Sequence, residues 1–461
     1  MKRKKEEYLS EWLRKKSRKP LILRGARQVG KSTLVRQFAD NEGLILHEIN
    51  LERHRRLDEV FAKLDMERIF SEIQYICKKG SVLQEKSLIF LDEIQATPHA
   101  LESLRYFFED YPHIPVIAAG SLLEFTLSKH NFSMPVGRVE YLYLSPVSFE
   151  EFLLASNETA LLDLLENYKY PDHFPYSAHS QLLELLRKYL LTGGMPEAVK
   201  RFIESNDIHE AMNVHSSILE TYQNDFSKYC TDRQLSVVQN VFDRIPLLVG
   251  NKMKYTNLDR DILSRDLKAA VELLAKAGVI SQVTHTSANG IPLKAEEDHS
   301  VYKPYFLDCG LMNRSCRVEW ISPEELTDVK FINEGNLAEQ FICQHLLLLE
   351  RENEQPRLNY WLREKKSTNS EVDFLMQINR EIIPIEVKSG KSGSLRSLHY
   401  FTYEKHNYRA LRFDLNPPSV QEISHKVRTA TGEYSNVSYT LYSLPLYLAE
   451  ESRRLLMSLI A

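Results

Sequence analysis

The chain is short of cysteine, and what it has is scattered. Its 461 residues include five: Cys77, Cys230, Cys309, Cys316 and Cys343. None forms a CxxC pair, and no histidine cluster completes a zinc pattern. Isolated thiols suit a reducing compartment, so a cytoplasmic protein is expected. Long apolar runs are missing as well. No stretch approaches the ~20 apolar residues of a membrane helix, and no apolar signal segment follows Met1. No membrane association is expected. Nor is there a charge excess of one sign. The net charge of −4 gives no global field toward nucleic acid, so any such binding must use a local patch. The first nineteen residues are locally basic, which fits a solvated helix or a phosphate-binding arm. The chain is too long for one ordinary core, and 43% hydrophobic with 26% charged residues suits a globular protein of several domains.

What is present is a glycine loop between a strand and a helix. Leu21-Ile22-Leu23 is a short apolar run. Gly25, Ala26, Arg27, Gln28, Val29, Gly30, Lys31 and Ser32 then match G-x-x-x-x-G-K-[ST], and Thr33 opens a helical pattern with Leu34, Val35 and Phe38 on one face. Gly25 and Gly30 let the backbone turn so that its N–H groups aim at phosphates, beside a helix N-terminus. Lys31 would reach the β- and γ-phosphates, and the Ser32 hydroxyl would ligate Mg²⁺. ATP with Mg²⁺ is the expected cofactor pair. A second apolar run, Ser87 to Leu91, ends in two acids. Asp92 would hold Mg²⁺ through a water, and Glu93 would polarise the attacking water. A third strand ends at Ser121, whose hydroxyl would sense the γ-phosphate or place the water. Arg138 follows Gly137 and is either a finger that neutralises transition-state charge or a surface arginine beside Glu140.

GARQVGKST, FLDEIQ, AAGS and GRVEYLYLSPVSFEEF together resemble a family of prokaryotic AAA+-type P-loop ATPases with a C-terminal domain of unknown function. YLLTGGMPEAV, Tyr189 to Val199, is similar to the end of that family's helical lid. The resemblance implies an ATPase module with Ser121 as sensor and Arg138 as finger. It also implies that Gly194 and Pro196 pack near the nucleotide base. A finger acting in trans would require a homo-oligomer.

From about Phe149 to Asp207 leucines recur at helical spacing, as in a lid that closes over nucleotide. Two helices up to Gly278, then a hairpin around SANGIPLKAEEDH, read as a winged helix. The second helix carries Arg265, Lys268 and Lys276 but also Asp266 and Glu272. That mixed face suits weak DNA binding, or a spacer that contacts protein.

In the last third, Leu337, Phe341, His345 and Leu348 mark a helix, with Glu339 one step off the stripe and His345 read as packed. Ser370 to Arg380 and Glu381 to Gly390 read as a hairpin with an Asn-Arg turn. Alternation sets Glu386 and Lys388 on one face and Ile383, Ile385 and Val387 on the other. Pro384 is awkward there unless the strand lies at an edge or starts nearby. Helix Glu339, strand Asp373 and Glu386-x-Lys388 resemble the PD-(D/E)xK nuclease superfamily. In that reading Asp373 and Glu386, with Glu339, would bind Mg²⁺, and Lys388 would orient the nucleophile or neutralise the phosphate. The plain alternative is a charged strand pattern. Tyr400, Tyr403 and Tyr408 would stack bases or fill core.

The expected fold is α/β. It comprises a P-loop NTPase (AAA+-like) parallel sheet (1–148), a helical lid (149–207), a winged helix (208–318) and a restriction-endonuclease-like domain (319–461). Two functions remain open. One is an ATPase acting on DNA. The other is an ATP-dependent switch that binds protein partners, with an inactive nuclease-like domain.

Overall fold

A computed structural model describes residues 1–120, 135, 137–228, 230–317, 335–364, 369–390, 394–429 and 432–460. The chain divides into two compact units. The first is Met1–Val147 with Lys276–Val279 and Arg351–Gln355, and the second is the remainder. Among the described residues no helix is long and apolar enough to cross a membrane.

The first unit contains α1 (Lys5–Arg14), β1 (Leu21–Arg24), α2 (Lys31–Asn41), β2 (Ile45–Asn50), α3 (Leu57–Phe61) and α4 (Met66–Cys77). After these come β3 (Ser87–Asp92), α5 (Pro98–Asp110), β4 (Val116–Ala119) and β5 (Glu140–Tyr143). The strands form a parallel sheet in the order β2-β3-β4-β1-β5. Every residue of β3 is buried, which explains its unbroken apolar run. Ile69, Phe70 and Ile73 of α4 and Leu101, Leu104 and Phe107 of α5 join Ile89 and Leu91 in one core. Because the strands are parallel, the turns after β1 and β3 leave from the same edge of the sheet.

The basic N-terminal run does not lie free in solvent. Leu9 and Trp12 of α1 are fully buried. Arg3 donates to the carbonyls of Val29, Ser145 and Pro146, at 3.0, 2.7 and 3.3 Å.

The second unit opens with α6 (Phe149–Ala155), α7 (Thr159–Asn167), α8 (Tyr176–Thr192), α9 (Pro196–Ser205) and α10 (Ile208–Phe226). The start of α6 is fixed by a reciprocal cap between Ser148 and Glu151. Leu182, Leu186 and Tyr189 of α8 are fully buried at the helical spacing read from sequence. Next come α11 (Asp232–Arg244), α12 (Tyr255–Leu258), α13 (Ser264–Lys276), β6 (Ile280–Thr286), β7 (Glu297–Phe306) and α14 (Cys309–Ser315). The last group is α15 (Gly335–Leu346), β8 (Asn359–Arg363), β9 (Ser370–Ile378), β10 (Glu381–Val387), α16 (Arg396–Lys405), β11 (Arg409–Asp414), β12 (Ser419–Arg428), β13 (Tyr434–Pro445) and α17 (Ser452–Ile460).

One mixed sheet runs β12-β13-β11-β10-β9-β8-β6-β7. The hairpin β6–β7 therefore shares a sheet with the C-terminal strands, across the expected boundary at residue 318. It pairs with β8 through Thr284↔Asn359 and His285↔Tyr360. β9 and β10 are antiparallel around a turn at Asn379, whose φ is 53°. β10 is central, yet its parallel ladder to β11 begins only at Ile385. Pro384 lies one residue before that ladder, so its missing N–H is not demanded there. Tyr400 is buried and Tyr403 packs against the core, whereas Tyr408 is exposed.

Candidate functional sites

The glycine loop leaves β1 and feeds α2. Gly25 has φ 145°, and a Cβ there would lie 2.2 Å from the Leu144 carbonyl oxygen, so glycine is required. Gly30, at φ 93°, precedes the first turn of α2. Gln28 also has positive φ, at 63°. Lys31 is buried and its ammonium donates to the carbonyls of Gly25 and Ala26, at 2.9 and 2.7 Å. The lysine thus closes the loop on itself. Burial pulls its pKa down to about 8, against the pull of the Glu93 and Asp92 charges.

Ser32 Oγ donates to Asp92 Oδ2 at 2.9 Å, joining α2 to the end of β3. Burial raises the Asp92 pKa and the Ser32 bond opposes that rise. Two hard oxygens already face one another, and this pair fits Mg²⁺ that keeps waters and takes phosphate oxygens as its other ligands. Glu93 stands next in the chain with φ 52°, and its carboxylate accepts from Gln95 Nε2. Gln95 is a residue that motif reading overlooked. A Cβ at Gly120 would come within 2.5 Å of its Oε1, so Gly120 leaves room for this amide. Ser121 lies outside the described residues. Arg138 is near the surface and pairs with Glu109 at 3.0 Å, not with Glu140, which binds Lys15 instead. The two side-chain bonds from Arg138 and Arg105 lower the pKa of Glu109. Pro196 is the first residue of α9 in the second unit, while the glycine loop belongs to the first. Gly194 donates its N–H to buried Asp308 at 2.5 Å.

The second candidate site lies within the eight-stranded sheet. Glu339 projects from α15, Asp373 from β9, and Glu386 and Lys388 from β10 and its end. The Val387 N–H donates to Asp373 Oδ2 at 2.8 Å, which holds this carboxylate against β10. Lys388 Nζ meets Glu386 Oε1 at 2.5 Å. The Glu386 pKa is raised by burial and then by the Asp373 charge, against Lys388. The Glu339 pKa is raised by burial and Asp373, against Lys303 and the Tyr305 hydroxyl. Asp373 is thus bonded to the backbone next to Glu386, and Glu386 is paired with Lys388.

A residue not foreseen stands among them. Lys303, on β7, is fully buried. Its ammonium pairs with Glu371, with Asp373 Oδ1 at 3.5 Å and with Glu339 Oε2 at 3.7 Å. It also lies 5.4 Å from the centre of the Tyr360 ring. Burial works to lower its pKa, but Glu339, Asp373 and Glu371 outweigh that and raise it. Tyr305, two residues along the same face of β7, donates to Glu339 Oε2 at 2.9 Å. Among the described residues no three His, Cys, Asp or Glu side chains are grouped to hold a metal ion. The acids are arranged around an ammonium, and that arrangement does not fit a divalent metal. His345 is packed, as its place on the apolar stripe suggests: Nδ1 donates to Phe341 O at 2.7 Å and Nε2 accepts from Phe149 N at 3.0 Å.

Residues 17–153 match the family model described as an AAA domain. The first unit thus carries an AAA-type P-loop domain. Residues 183–320 match a domain of unknown function, DUF8612, and residues 334–430 match another, DUF4143. No curated protein matches in sequence. Among solved structures, the Aeropyrum pernix Orc1 protein in complex with DNA is similar over 68% of this chain and 90% of its own. The identity is 13% and the TM-score 0.27. The Thermotoga maritima RuvB Holliday junction branch migration motor is similar over 61% and 88%, with 15% identity and a TM-score of 0.29. Likeness this distant says nothing about what the chain binds.

Proposed function

We propose that the protein binds and hydrolyses ATP with Mg²⁺ in the cytoplasm and uses nucleotide state to control its second unit. The observation that carries this is the Ser32–Asp92 hydrogen bond beside buried Lys31. In this reading the backbone of Gly25 to Thr33 cradles the phosphates, and Lys31 exchanges its loop carbonyls for phosphate oxygens. Ser32 and Asp92 hold Mg²⁺, which would neutralise developing charge. Glu93, released from Gln95, polarises water. Ser121 senses the γ-phosphate, Pro196 lies near the base, and Arg138 acts as a finger across a homo-oligomer. Steady-state turnover tests the core of this reading. Lys31→Ala should abolish ATP hydrolysis while Lys388→Ala leaves it intact. Turnover that survives Lys31→Ala would refute it. Sedimentation with a non-hydrolysable ATP analogue tests Arg138, since a strict monomer rules out a finger in trans.

For the second unit, action on DNA is supported by the helix–hairpin order around α13 and by the nuclease-like order Glu339, Asp373, Glu386, Lys388. A second reading is a switch that binds protein partners. It is favoured by Lys303 among the acids and by the mixed face of α13, where Lys268 pairs with Glu272 at 3.9 Å and Arg265 with Asp266 at 3.4 Å. Gel shifts at low salt, with and without ATP, separate the two, because phosphate contacts are strongest there.

A further inference from the structure

We infer that Lys303 is the built-in cation of the acidic cluster, and that the cluster excludes a divalent metal for as long as this lysine is present. The inference rests on the nuclease-like reading of the second unit and deepens it. The unit keeps the order of a metal-dependent nuclease but fills the charge position with its own chain.

Three features lead there. First, Lys303 reaches carboxylates on two elements: Glu339 of α15, and Glu371 with Asp373 of β9. Glu371 and Asp373 are two residues apart, so alternation sets both on one face of β9. A divalent ion bridging helix and strand would compete with Lys303 for Glu339 Oε2 and Asp373 Oδ1, and a buried ammonium repels it. Second, the lysine is fixed in place. Its side chain has 0% exposure, so it cannot swing into water to admit an ion without opening the fold. Gly250 presses on the cluster from another side, where a Cβ would come within 2.7 Å of Glu339 Oε2. Its N–H bonds the Pro304 carbonyl, next to Lys303, at 3.4 Å. Third, the charges are uneven. Lys388 is engaged with Glu386 Oε1, while Glu386 Oε2 is buried with no hydrogen-bond partner among the described residues. Glu339, Glu371 and Asp373 thus depend on Lys303 for a buried positive charge. Removing one partner of such a set leaves uncompensated charge, which is strongly destabilising.

The test has two arms on the full-length protein. In the first, nucleotide-free wild type is titrated with Mn²⁺ and followed by electron paramagnetic resonance, beside Asp373→Asn and Asp92→Asn. Any Mn²⁺ bound should be lost on Asp92→Asn and unchanged on Asp373→Asn. Binding that disappears on Asp373→Asn would overturn the inference, and it needs no variant at Lys303. In the second arm, thermal melting compares wild type, Lys303→Met and Lys303→Met with Asp373→Asn. The single variant should melt at least several degrees lower, and the double variant should recover part of that loss. A double variant that melts no higher than Lys303→Met would count against the lysine as charge partner. The low-salt gel shift reports on DNA action by the second unit independently of Mn²⁺ and of the melts, so failure here is distinguishable from failure of that reading.

Discussion

Ser32 and Asp92 come from elements sixty positions apart and meet through a single 2.9 Å hydrogen bond between hydroxyl and carboxylate. That bond is where an ion would insert. Ser32→Ala and Asp92→Asn should each lower Mg²⁺-dependent ATP turnover by roughly 10²-fold, since each removes a metal oxygen. A fluorescent ATP analogue should still bind both variants, and turnover unchanged in both would refute the assignment.

Glu93 is held by Gln95, so the two should separate kinetically. Glu93→Gln removes the group proposed to polarise water, and kcat should fall by about 10²–10³-fold. Gln95→Ala only releases the carboxylate and should change kcat by about tenfold or less, with KM nearly constant. Equal losses in both variants would mean that the amide itself takes part.

Gly25 tolerates no side chain. With φ 145° and a carbonyl oxygen 2.2 Å from any Cβ, Gly25→Ala should cost about 2 kcal/mol or more of stability in the first unit. Chemical denaturation followed by Trp12 fluorescence, in a chain carrying Trp320→Phe and Trp361→Phe, measures this. A midpoint within error of wild type would mean that the turn can move.

His215 gives the second unit an acid sensitivity. Its ring is buried in α10, Nε2 donates to the Thr192 carbonyl at 2.9 Å, and burial pulls its pKa down to about 4 despite that bond. The unfolded chain takes up this proton near the ordinary histidine value of about 6.5, so it binds more protons than the native state between about pH 4 and 6.5. Stability contributed by neutral His215 is complete above that window and is lost as pH falls through it, by about 3 kcal/mol at most. Denaturation midpoints between pH 4 and 7 should therefore depend less on pH in His215→Asn than in wild type. Identical slopes would refute the assignment.

Local chemistry made much of this legible. The glycine loop is a run of adjacent residues whose backbone needs are written in residue type, so Gly25, Gly30, Lys31 and Ser32 are recognisable from their order along the chain. The β9–β10 hairpin is legible for the same reason, since alternation and an Asn-Arg turn are local signals. Lys303 is not. It lies 36 residues before Glu339, in a hairpin whose pattern suggests a separate module, and two distant contacts bring it to the acids: the pairing of β6 with β8, and the Gln340 side chain bonded to the Phe306 backbone. Gln95 is hidden differently: its role depends on the positive φ of Glu93 and on the space beside Gly120. The burial of α1 was masked by its lysines and arginines, because Leu9 and Trp12 are its only fully buried apolar side chains.

The order of the chain gives Lys303 one more consequence. On the ribosome this lysine is made before Glu339, Glu371 and Asp373, and β7 precedes β8, the strand beside which its hairpin must pair. Until the last third of the chain emerges, the nascent hairpin carries a cation destined for the interior with none of its counterions yet synthesised. Burial of Lys303 with its full set of counterions therefore waits for synthesis of the acids, and a polypeptide ending before Ser370 would hold Lys303 without Glu371 and Asp373.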